Sequence, residues 1–82
     1  MTFEECSRQA MNEIGVPQDV QDIFILYGHA VTGNRNKQLT ESEIPICLAL
    51  SRIMNRLELG ATPEARAESY ALIRAMAMQE KN

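Results

Sequence analysis

The sequence predicts an all-α fold, a compact four-helix bundle with helices over roughly 3–14, 17–31, 41–59 and 63–79 in a single domain, 1–82. Three observations predict it. Hydrophobic residues make up 45% of the chain but aromatic ones only 5%, so the core has to be filled by Leu, Ile, Val, Ala and Met. That suits close helix packing better than a β-sandwich, which leans on β-branched and aromatic alternation. Apolar residues recur at helical spacing, and each stripe sits between a start signal and a stop signal.

The first helix opens on Thr2-Phe3-Glu4-Glu5, a capping box in which the Thr hydroxyl and the Glu carboxylate satisfy each other's amides. Phe3, Cys6, Ala10, Met11 and Ile14 form its stripe, and Gly15 supplies the left-handed residue that ends it. The second starts near Pro17, whose missing N–H costs nothing in a first turn. Its main stripe is Val20, Ile23, Phe24, Tyr27 and Val31, with a second apolar patch at Ile25 and Leu26, and Thr32-Gly33 closes it. Gly28 inside this helix costs about 1 kcal/mol relative to Ala and suggests close packing against the third helix.

The third helix begins at Thr40 or Ser42. Thr40-Glu41-Ser42-Glu43 is a second capping box, whereas Pro45 fits better with a start at Ser42. Apolar residues occupy nearly every side from Ile44 to Leu50, and Ile53, Met54 and Leu57 then keep one stripe up to Gly60. A helix that is apolar all round should be central. The fourth has Thr62 as N-cap and Pro63 in its first turn, and runs past Tyr70, Leu72, Ile73 and Met76. So few residues separate helices three and four that they should form an antiparallel hairpin. Acids cluster at helix starts, as the macrodipole prefers.

The net charge is −3 and unevenly spread. Residues 1–34 carry a single base, Arg8, against five acids, while residues 35–82 are nearly balanced. An acidic front half repels phosphate backbones, so a nucleic-acid partner is not expected. Cys6 and Cys47 have no CxxC partner and should be at least half buried and unbonded. The N-terminus lacks the basic and apolar regions of a signal peptide, and no stretch approaches a membrane span. A cytoplasmic protein without membrane contact is the expectation, and size and style suggest a bacterium or a phage.

No constellation carries catalysis. His29 has no nucleophile or orienting carboxylate nearby in sequence, Ser7, Ser42, Ser51 and Ser69 lack elbow glycines, and Cys6, Cys47 and His29 lack metal spacing. Neither an enzyme nor a cofactor is expected. The segment Thr32–Glu43 resembles an EF-hand loop in its oxygen positions, but Lys37 replaces the turn glycine and only Glu43 is an anionic ligand. Polar residues 34–38, with Arg35 and Lys37, form one candidate anion site; Arg52 and Arg56, one turn apart, form another.

More apolar positions remain than one small core can bury. Ile25, Leu26, Ile46, Leu48, Leu59 and Met78 lie off their helices' main stripes. Contiguous exposed apolar surface usually marks an interface. The sequence therefore points to a non-catalytic protein–protein interaction module, an adaptor, inhibitor or regulatory protein acting as a homodimer or on a target. Its interface would use Ile25, Leu26 and Leu48, with Asp19 and Asp22 steering a basic partner. The alternative is a small-molecule or nucleotide binder using the 34–38 loop.

Overall fold

A computed structural model describes residues 1–27 and 35–80, and the side chains of all of these except Tyr27 and Glu80. Its four helices are α1 (Phe3–Glu13), α2 (Gln18–Tyr27), α3 (Glu43–Glu58) and α4 (Pro63–Glu80). Among the described residues there is no strand, only a single antiparallel bridge between Thr2 and Gln38. The all-α four-helix fold is as the sequence predicts. Gly28, His29, Val31, the Thr32-Gly33 stop and Asn34 lie outside the described residues.

Local signals set the helix ends. At α1 the capping box is complete: the Glu5 amide donates to Thr2 Oγ1 at 3.2 Å and the Thr2 amide to Glu5 Oε1 at 2.8 Å. The remaining free amides of its first turn are used by the segment before α3, since Phe3 N–H donates to the Lys37 carbonyl and Glu4 N–H to that of Arg35, both at 2.9 Å. Gly15 ends α1 at φ +73°. Both signals at α3 operate together. The Thr40–Glu43 box closes at 2.9 and 3.3 Å and holds a turn, and the helix itself runs from Glu43, which leaves Pro45 in its first turn. Thr62 Oγ1 accepts from the Ala65 amide at 3.1 Å and caps α4.

α3 and α4 are joined only by residues 59–62, the short connection of a helical hairpin, yet each packs chiefly on another helix, α3 on α1 and α4 on α2. The core follows these pairs. Met11, Val16, Val20, Ile25 and Leu59 form the larger cluster, with Phe24, Tyr70 and Ile73 against it. Cys6, Leu39 and Cys47 form a smaller one between α1 and α3, flanked by Ile44 and Leu48. Both cysteines are free and buried. Burial and the neighbouring Cys47 thiol push the Cys6 thiol up to about 12.

The buried side of α2 differs from the expected stripe. Val20, Gln21 and Ile25 are buried, whereas Ile23 and Phe24 are only half so. Gln21 is tolerated inside because its Nε2 donates to Asn12 Oδ1 at 2.6 Å and to the Val16 carbonyl at 3.0 Å. The Cα extents are 39 × 28 × 17 Å, those of a thin slab, and among the described residues α3 packs chiefly on α1 alone. No helix among the described residues is long and apolar enough to cross a membrane.

Candidate functional site

α3 is apolar on two sides, and the chain covers one of them. Cys47 and Asn55 are buried on its inner side, Ile44 and Leu48 pack against the cysteine cluster, and Leu59 at the C-cap is fully enclosed. On the outer side Ile46, Leu50, Ile53 and Leu57 follow one another at helical spacing and stand 61, 58, 54 and 75% exposed. Met54 borders this stripe, and α4 exposes Leu72, Met76 and Met78. Ile53, Met54 and Leu57, expected to face the core, therefore face water. The reason is architectural: α4 pairs with α2, so nothing among the described residues lies over the outer side of α3.

The structure redistributes the interface residues expected from sequence. Ile25, 2% exposed, belongs to the core with Met11 and Val20, so it is corrected from surface to interior. Leu48 is half-buried against the Cys6, Leu39 and Cys47 cluster and is likewise engaged within the chain. Leu26 lies at the surface, 54% exposed. The acids meet internal partners. Asp19 accepts a two-pronged contact from Arg74, Nε to Oδ2 at 2.7 Å and Nη2 to Oδ1 at 3.0 Å, which holds its carboxyl below the usual range. Asp22 pairs with Arg8 at 2.9 Å and accepts from Gln18 at 3.0 Å. With both charges matched inside the chain, their pull on a basic partner is weakened.

The cationic candidates separate in the same way. Lys37 Nζ contacts Glu43 Oε2 at 3.2 Å, and the other Glu43 oxygen takes the Thr40 amide. Glu43, the one anionic side chain at a ligand position of the EF-hand-like segment, is thus already occupied, and Lys37 with it. Arg35 contributes its backbone carbonyl to the start of α1. Arg52 donates to Glu13 through Nε at 2.8 Å and Nη2 at 2.7 Å, clamping the end of α1 to α3. Those bonds hold the Glu13 carboxyl below its ordinary range. Arg56 has no ion-pair partner among the described residues.

Asn55, beside Arg52 and Arg56 in the sequence, is 5% exposed and its Nδ2 has no hydrogen-bond partner among the described residues. Leaving a buried donor unpaired costs about 1–3 kcal/mol. The outer stripe was open to sequence reading, because the run from Ile44 to Leu57 carries enough apolar residues for two faces. Among the described residues no group of three or more His, Cys, Asp or Glu side chains could hold a metal ion. In comparison with known proteins, no family model matches the chain, and neither a curated protein nor a solved structure matches it.

Proposed function

We propose that the protein is a non-catalytic interaction module that pairs with a second copy of itself through the outer face of α3, in an adaptor, inhibitory or regulatory role. The exposed stripe Ile46, Leu50, Ile53 and Leu57 carries this reading. Fully burying a Leu or Ile side chain contributes about 1.5–3 kcal/mol. Covering the exposed portions of these four would thus yield on the order of 5 kcal/mol per copy. Two copies together gain roughly 10 kcal/mol, within the range of about 4–15 kcal/mol that association costs. A self-complementary stripe needs no second kind of surface, because a two-fold axis brings the same residues together from both chains.

Light scattering coupled to size exclusion tests this. The wild type should show a mass near twice that of the 9.2 kDa chain. The double substitution Leu50→Glu with Leu57→Glu should return it to a monomer with unchanged helix content, since a charge is costly in a dry interface and cheap in water. A wild type that stays monomeric at high concentration defeats self-association and leaves the face to a foreign protein.

A further inference from the structure

We propose that the cleft between the end of α1, the last turns of α3 and the start of α4 binds a small organic phosphate. The cleft measures about 430 Å³, within the roughly 300–1,000 Å³ of small-molecule sites. Arg52, Arg56 and Arg66 line it against one carboxylate, Glu13. Arg52 and Glu13 satisfy each other and form a fixed wall. Arg66 spends one donor on the Gly60 carbonyl at 3.2 Å and keeps the rest of its fork. Arg56 has no ion pair among the described residues, so two positive charges remain unbalanced in the cleft.

Buried Asn55, whose Nδ2 has no acceptor among the described residues, lines the same cleft. Guanidinium forks match phosphate oxygens two at a time. Ala10, Ile14 and Ala61 line the same cleft and give it apolar surface for the organic part of the ligand. None of this depends on the outer face of α3, so the site stands or falls apart from self-association.

The test titrates the intact protein with inorganic phosphate, phenyl phosphate and phenol at matched ionic strength, following side-chain amide and arginine Nε signals by NMR. Both phosphates should shift the Asn55 amide and the Arg56 and Arg66 signals, with phenyl phosphate tighter than inorganic phosphate and phenol silent. Arg56→Gln, on an exposed side chain, should weaken phenyl phosphate about tenfold, as loss of a charge-assisted contact does. Adding Arg66→Gln should remove binding. Shifts absent from these residues, reproduced by sodium chloride, or unchanged in Arg56→Gln would overturn the site. Equal affinity for the two phosphates would overturn its organic part.

Discussion

Leu57 and Leu59 lie two positions apart at the end of α3, and their surroundings are opposite. Leu59 is fully enclosed by the main core, while Leu57 is 75% exposed. The same contrast holds along the whole helix, with Cys47, Leu48 and Asn55 inward and Ile46, Leu50 and Ile53 outward. The two faces hardly differ in apolar character. What separates them is supply: α1 covers one face, and α4 is held by α2 through Tyr70, Ile73 and the Arg74–Asp19 clamp. Hydrophobicity states how many faces want cover, and chain connectivity decides which of them gets it.

Substitutions can break this comparison, beginning with neighbours on α2. Ile25→Glu should cost more than about 4 kcal/mol, by placing an unpaired charge in the core, and so unfold a domain of this size. Leu26→Glu should leave the circular dichroism melt of the monomer within about 0.5 kcal/mol of wild type. Equal destabilisation by both would mean that α2 is rotated. On α3, Leu59→Ala should lose about 2–5 kcal/mol in urea unfolding. Leu57→Ala should lose under about 0.5 kcal/mol when measured on the monomer.

Gly60 sharpens the contrast, because it turns the chain directly after Leu59. Its φ is +122°, and an added Cβ would come within 2.9 Å of Ala65 Cβ and 3.0 Å of backbone atoms. Gly60→Ala should therefore destabilise by about 1–3 kcal/mol, read from the thermal midpoint. An unchanged midpoint would show that the α3–α4 connection can relax without disturbing Leu59.

The pH profile examines the clamps that hold the covered faces. Glu5, Glu13 and Glu43 have ordinary values of 4.5 and Asp19 of 3.8, and all are lowered by partners present in the fold. Their stabilising contribution is complete above those ordinary values and is lost as pH falls through the lowered ones. Cys6 acts in the opposite sense: its contribution is whole below 9.0 and is lost as pH rises toward about 12. A plot of thermal midpoint against pH should be flat between these limits and fall on both sides. Arg74→Gln should flatten part of the acid arm. The smallest effect is expected from millimolar calcium, which should leave the midpoint and helix content unchanged because Glu43 is already paired with Lys37 and Thr40.

Much of the fold was legible because its signals are local. Thr2 with Glu5, Gly15, Thr40 with Glu43, and Thr62 with Pro63 act within a few residues, and each sits where its chemistry requires. Rotation of a helix about its axis is not local. Gln21 is interior because Asn12 and Val16 happen to meet its amide, a pairing with no sequence signature. Ile25 likewise belongs inside only once α1, α2 and the C-cap of α3 converge on one cluster. The candidate sites are legible only in outline: a surplus of apolar residues announces an outer face, and arginines at one-turn spacing announce a cationic one. The convergence of Arg66 on Arg52, Asn55 and Arg56 depends on how the Gly60 turn brings α4 back past the end of α3.

The buried thiol pair provides a clock for motion of the slab. Cys6 lies on α1, fully buried against Cys47 on α3, so its sulfur meets a reagent only when the two helices separate. Only the thiolate reacts, and the raised Cys6 value keeps it protonated in the closed state near neutral pH. Labelling then proceeds through open molecules, and when closing outpaces reaction its rate reports the free energy of opening. The Cys6 sulfur thereby makes the grip of the covered face of α3 measurable without substitution. A ligand or partner that tightens that grip would lengthen the labelling time without touching either cysteine.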